Sequence, residues 1–296
     1  IPWEQSLKKG QAINLGVSCH KSRLYHSAGV AERVAGAIGD RLGVEPPVVA
    51  AKEEDEEQHN VQLILVRLLH DQCTISIDSS GELLHRRGYR QAVAKAPLRE
   101  TLAAGMLMAS GWDRRSPLLD PFCGSGTIPI EAAMLASNIP PGLNRSFAFM
   151  NWQDFEAGLW KSIRENALAQ IKPASPGIMA SDRDAGAIEM AKSNAQRAGV
   201  LDQIEFTCQA VSAIQPDNKG WVVTNPPYGL RVSSNKDLRN LYAQFGNVLR
   251  EKCPGWQAAI LCSDAHLLRQ TGLSFDFRLS TVNGGIPVRM GVASIP

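Results

Sequence analysis

At 296 residues, with 44% apolar and 20% charged side chains and a formal net charge of +2, the chain has the composition of a globular protein large enough for two domains. No apolar run approaches the roughly 20 residues that span a bilayer, because residues 61–69 are broken by Gln62 and Arg67, so a membrane role is not expected. The six cysteines are scattered without a Cys-x-x-Cys pair, which speaks against a metal site and for a reducing compartment, the cytoplasm.

The chain opens on Ile1-Pro2-Trp3 without Met and without a basic-then-apolar leader, so a lost amino-terminal portion is expected. Residues 1–85 read as an α+β module. A strand is expected over 11–18, a helix over 27–42 with Val30, Val34, Ala37, Ile38 and Leu42 at helical spacing, and two strands over 61–69 and 73–78. The stretch Ser18-Cys19-His20-Lys21-Ser22-Arg23-Leu24-Tyr25-His26 resembles the later part of a THUMP domain, an RNA-binding module fused to RNA-modifying enzymes, with the front of the module absent. Lys21 and Arg23 stand just before the helix, either as phosphate contacts beside its amino end or as ordinary surface residues. The acidic run 53–57 reads as a solvated loop or helix start.

A basic stretch follows, with Arg86, Arg87, Arg90, Lys95 and Arg99 and no acid between residues 83 and 99. It reads either as an RNA-contacting surface or as a solvated linker, and Arg86, Arg87 and Arg90 are the candidates for contact. Pro97 suits the first turn of a helix whose Leu98, Leu102, Met106 and Ala109 share one face.

Residues 118–127, Leu-Leu-Asp-Pro-Phe-Cys-Gly-Ser-Gly-Thr, run from a buried strand end through a turn with two glycines into a helical pattern over 128–137. This is how an α/β sheet presents a cofactor crevice. Gly124 and Gly126 let the backbone approach a ligand, the amides from Thr127 onward suit a carboxylate, and Asp120 can accept from an ammonium. Residues 144–171 read as an insertion rich in aromatic residues, Phe147, Phe149, Trp152, Phe155 and Trp160, which form either a satellite core or a base-stacking platform. The next strand ends at Asp182, an acid placed to accept both ribose hydroxyls of an adenosine, and Asp184 caps the helix after it. A third strand over 204–210 is followed by helix and strand patterns over 236–249 and 257–261 and a hairpin around Asn283-Gly284-Gly285.

Between them, Trp221-Val222-Val223-Thr224 reads as another buried strand that runs into Asn225-Pro226-Pro227-Tyr228. Taken with Asp120 to Thr127, this order of motifs resembles the S-adenosylmethionine-dependent methyltransferases that modify exocyclic amino groups. The resemblance implies a Rossmann-like α/β domain over residues 86–296, with a seven-stranded sheet ending in an antiparallel hairpin, behind the partial THUMP-like module of residues 1–85. It implies S-adenosylmethionine held by Asp120, Phe122, Gly124, Ser125, Gly126, Thr127, Asp182, Arg183, Gln209, Ala210 and Asn225. It also implies transfer carried by Asn225, Pro226, Pro227 and Tyr228. An acid usual in the family after the third strand is replaced by Ala210, which leaves Gln209 or a backbone group to meet the adenine. The phrase 147–155 resembles bacterial ribosomal-RNA guanine-N2 methyltransferases, so RNA, ribosomal before transfer RNA, is the expected partner. Adenine N6, a glutamine amide and a non-catalytic RNA-binding role remain the alternatives.

Overall fold

The computed structural model describes residues 1–50, 60–90, 98–173, 176–228 and 235–296, with side chains from residue 238 onward in the last range. The acidic run 53–57, Lys95 and Pro97 lie outside the described residues. The chain divides into two compact units, Ile1–Leu84 with Arg145–Glu165, and His85–Asn144 with Asn166–Pro296.

In the first unit, β1 (Ile13–His20) pairs in parallel with β2 (Gln62–Leu69), and β2 pairs antiparallel with β3 (Gln72–Ile77). Along β2 the side chains alternate, so that Ile64, Val66 and Leu68 point into a small core with Trp3, Leu7, Ile13 and Ile38. Ile38 comes from α1 (Ser27–Leu42), which stops at Gly43 in the left-handed region, φ +74°. The aromatic segment expected as an insertion of the second domain packs in this first unit instead. Phe147, Phe149, Phe155 and Trp160 contact one another with ring centroids 5.2 to 5.9 Å apart. Trp152 Nε1 donates to Gln62 Oε1 at 3.1 Å, which gives the buried end of β2 its polar partner.

The second unit carries α2 (Glu100–Ser110), β4 (Leu118–Asp120), α3 (Thr127–Ala136), the end of α4 (Ala157–Ala169), β5 (Ile178–Asp182), α5 (Ala185–Arg197), β6 (Ile204–Cys208), β7 (Trp221–Thr224), α6 (Asn235–Lys252), β8 (Gln257–Cys262), α7 (Ala265–Gln270), β9 (Asp276–Asn283) and β10 (Ile286–Ser294). Its seven strands lie in the order β6-β5-β4-β7-β8-β10-β9. The first five are parallel, and β10 runs antiparallel to both neighbours. A parallel sheet covered by helices is buried on both faces, and the unbroken apolar runs of β7 and β8 follow from that. Asp184 caps α5 through Gly186 N, at 2.8 Å. The six-residue α7, capped by Asp264, is too short for its periodicity to be read from sequence. Strand order reverses between β4 and β7, which fixes the crevice where such sheets bind ligands.

Glycine in α6 sets how closely α7 approaches. A Cβ on Gly246 would stand 2.0 Å from the Thr271 carbonyl oxygen, whereas one on Gly36 in α1 meets nothing within 4 Å. Gly246→Ala is expected to lower unfolding free energy by about 1–3 kcal/mol or more through overpacking. Gly36→Ala should raise it by about 0.5–1 kcal/mol through helix propensity. Denaturant titration checks both signs.

Candidate active site

At the carboxyl ends of the parallel strands lies a cavity of about 640 Å³. The β4–α3 turn contributes Asp120, Phe122, Gly124, Ser125 and Thr127 to its wall, and β5 leads into Asp182 and Arg183. Gln209 and Ala210 follow β6, and Asn225, Pro226, Pro227 and Tyr228 follow β7. Local sequence explains part of the clustering: β4 and β7 are short and apolar and end at their first polar residues, Asp120 and Thr224, whereas β6 carries Glu205 and Thr207 within it.

Asp120 sits at the bottom, 1% exposed. Its Oδ1 accepts from Thr224 Oγ1 at 2.6 Å and from Phe122 N at 3.2 Å. Burial, with Asp182 as a further negative charge, pushes its carboxyl from the ordinary 3.8 up to about 7. Asp182 Oδ2 accepts from Gly124 N at 3.0 Å and its Oδ1 from Asp184 N at 3.0 Å, which holds the carboxylate at the cavity wall. Gly124 has φ +51°, and a Cβ there meets no atom within 4 Å, so the turn leaves a cradle open toward the cavity. Gly126 does something else. It lies outside the cavity wall, at φ +85°, and a Cβ would come within 2.9 Å of Ala191 Cβ, so this glycine serves the packing of α3 on α5 rather than a ligand's approach.

Beyond β7, Asn225 Oδ1 is buried and has no hydrogen-bond partner among the described residues. An orphaned acceptor costs about 1–3 kcal/mol. Tyr228 is 8% exposed and its hydroxyl accepts from Asn283 Nδ2 at 3.1 Å, which fixes the ring at the cavity wall. Phe122 is braced by Phe245 of α6, edge to face at 5.1 Å.

The structure corrects the reading of the basic stretch. Arg87 and Arg90 are turned inward rather than presented to RNA, with side chains 12% and 10% exposed. Arg87 pairs at 3.2 Å with Glu131 of α3, a buried acid that also accepts from the Tyr89 hydroxyl at 3.1 Å. Arg90 donates to Thr127 Oγ1 and to the Leu98 carbonyl, both at 2.7 Å, and faces Glu100 at 3.5 Å. Burial raises both carboxyls while the arginines oppose that shift. Arg86 is half-buried. In the first unit, Lys21 is exposed at φ +47°, and Arg23, also exposed, pairs with Asp71 at 3.0 Å. His26 Nδ1 accepts from Gly29 N at 3.0 Å and so caps α1 itself.

Sequence reasoning missed Thr224 and Asn283, whose roles depend on partners 104 and 55 residues away. It also missed Leu241, Gln244 and Val248, which close the cavity from α6. For Thr224 the position just before Asn225 was an available signal; for Asn283 there was none beyond its turn. Among the described residues, no helix is long and apolar enough to cross a membrane, and no group of three His, Cys, Asp or Glu side chains is placed to hold a metal ion.

A seven-stranded sheet of this order, with a crevice at the β4/β7 reversal and an antiparallel β10, is the Rossmann-like fold of methyltransferases. Residues 87–288 match the family described as the RMKL-like methyltransferase domain, and the chain belongs to that family. The ribosomal RNA large subunit methyltransferase K/L of Shewanella baltica is 38% identical over 276 residues, covering 89% of this chain and 38% of that protein. Its namesake from Legionella pneumophila strain Lens is 41% identical over 242 residues, 80% of this chain and 34% of that one. The chain thus spans less than two fifths of these curated relatives. Among solved structures, SMU.472 in complex with SAH is 28% identical with a TM-score of 0.83, over 99% of this chain and 77% of that one. TrmN from Thermus thermophilus, 21% identical with a TM-score of 0.70 over 100% of this chain and 75% of that one, shares the fold.

Because Asp120 binds its proton more tightly folded than unfolded, its contribution to stability is complete below about pH 4 and is lost as pH rises through about 7. That loss is on the order of 4 kcal/mol. Asp120→Asn keeps acceptors for Thr224 and Phe122 and removes the charge. The variant is therefore expected to be the more stable of the two at pH 8 and close to wild type at about pH 4, as read from urea unfolding across that range.

Proposed function

We propose that the chain transfers a methyl group from S-adenosylmethionine to the exocyclic N2 amine of a guanine in RNA, with large-subunit ribosomal RNA as the substrate class. The observation that carries this reading is Asn225 Oδ1, a buried acceptor with no partner among the described residues, in the lining of the β4/β7 crevice. The relatives' name supplies the RNA, and their SAH-bound structural neighbour supplies the cofactor class.

The residues present fit that cofactor. Asp120 offers a carboxylate to an ammonium, Gly124 leaves room for close approach, and Asp182 keeps lone pairs free for ribose hydroxyls. When bound, S-adenosylmethionine supplies an electrophilic methyl group on a sulfonium. The chain's own work is on the nucleophile. An amine conjugated to a purine delocalises its lone pair into the ring. Asn225 Oδ1 and the Pro226 carbonyl accept its two hydrogens, so the nitrogen pyramidalises and its lone pair is aimed, and the two prolines keep the acceptors rigid. Tyr228, held by Asn283, gives the extruded base a ring to stack on. In this reading Lys21 and Arg23 of the first unit contact RNA, as expected of a THUMP-like module, Arg86 is a separate RNA contact of the second unit, and the six free thiols suit a cytoplasmic enzyme.

Methyl transfer from labelled S-adenosylmethionine to unmodified ribosomal RNA, digested to nucleosides, is expected to give N2-methylguanosine; label confined to another nucleoside or to transfer RNA overturns the substrate. Asn225→Ala should lower kcat by about a hundredfold or more while cofactor affinity changes little; unchanged turnover removes Asn225 from the reaction. Because the ammonium selects ionised Asp120, cofactor affinity should weaken as pH falls below about 7, with proton release on binding near neutrality. Calorimetry in buffers of different ionisation enthalpy reads that release, and its absence counts against the Asp120 contact.

A further inference from the structure

A second pocket, of about 560 Å³, lies at the opposite end of the parallel strands, where the chain enters β4 and β5. Arg114 and Arg115 reach it from the loop before β4, and Lys172 from the loop before β5. All three side chains are exposed, and among the described residues none is paired with an acid. Among the described residues the one carboxylate in the wall, Asp113, is already engaged. Its Oδ1 accepts from Arg115 N and Ser116 N at 2.9 and 2.8 Å, and its Oδ2 from Ser116 Oγ at 2.9 Å. Those bonds lower its pKa and leave it shaping the loop instead of neutralising the arginines.

Two further observations separate this pocket from an ordinary solvated surface. Arg114 stands at φ +63°, a conformation that costs a side-chain-bearing residue about 1–2 kcal/mol and that glycine or asparagine would adopt more easily. The floor is also built in advance. Lys172 N donates to the Ser137 carbonyl at 3.1 Å and Asn138 Nδ2 to the Gln170 carbonyl at 3.3 Å, so the end of α3 and the loop before β5 are tied together. The cations are not needed to cap α3. Its last carbonyls are met by the amides of Ser137, Asn138 and Ile139.

We propose that this pocket binds phosphate groups of the RNA backbone, at a distance from the nucleotide in the catalytic crevice. Three unpaired cations on a preformed concave surface complement a phosphodiester chain, whose charges repeat and which needs no base-specific contact. The assignment rests on the proposal that RNA is the substrate, and it extends the RNA footprint to the amino ends of the parallel strands.

The test is fluorescence anisotropy of a labelled single-stranded RNA oligonucleotide with the full chain over a range of salt. It compares wild type with the triple variant Arg114→Gln, Arg115→Gln, Lys172→Gln. Binding is expected to weaken roughly a hundredfold near 0.1 M salt, and the slope of log Kd against log salt to fall by about 2, since each lost contact to a single strand removes about 0.7. Cofactor affinity and the thermal midpoint should stay as in wild type. A variant with wild-type affinity and slope overturns the proposal. If low-millimolar inorganic phosphate binds wild type and not the variant while RNA affinity is the same for both, the pocket takes free phosphate and the RNA assignment falls. RNA bound through these residues but never methylated supports this site and defeats the guanine-N2 reading, so the two failures are distinguishable.

Discussion

The hydrogen bond from Thr224 Oγ1 to Asp120 Oδ1 joins the ends of β4 and β7 across the point where strand order reverses. Each partner is fully buried, and each belongs to a strand of three or four residues. With so short a ladder, the side-chain bond supplies a share of what fixes the two strand ends relative to each other. The glycine turn leaves from one end and the Asn225–Tyr228 run from the other. Everything assigned to cofactor and target base is therefore referenced to one carboxylate–hydroxyl contact.

Burial of that acid, against the opposing effect of its hydrogen bonds, sets its electrostatic character. Among the described residues Asp120 has no cationic partner, and its carboxyl is shifted to about 7. Behind α3, Glu131 and Glu100 are buried as well, but there Arg87 and Arg90 stand against them. The same fold thus treats its buried acids in two ways. The structural pair faces buried arginines and anchors residues 86–90 to α3, whereas the acid in the crevice has no cation beside it among the described residues.

Local patterns in the sequence carried the strands that end at Asp120, Asp182 and Thr224, the glycine turn and the terminal hairpin, because each depends on neighbours within a few residues. What the sequence hid depends on distant ones. Gly126 and Gly124 look alike in the chain, and only the approach of Ala191 separates a packing glycine from a ligand-facing one. Arg87 and Arg90 sit in a run without acids and so resemble a solvated surface, but their carboxylates are supplied by α2 and α3. The aromatic segment lies between two parts of the methyltransferase sheet, and nothing local says that its rings pack with the β2 unit.

That last feature bears on the order in which the protein is made. The first unit is discontinuous: its final piece, Arg145–Glu165, leaves the ribosome only after β4 and α3 of the second unit. A nascent chain halted near residue 85 holds Gln62 without its Trp152 indole and lacks the whole ring cluster. The first unit consequently cannot be completed until residues 85–144 of the second have been synthesised, and β5 to β10 of the second follow later still. Each waits for segments of the other to be synthesised, and a recombinant fragment of the first unit must carry the aromatic segment by grafting rather than by simple truncation.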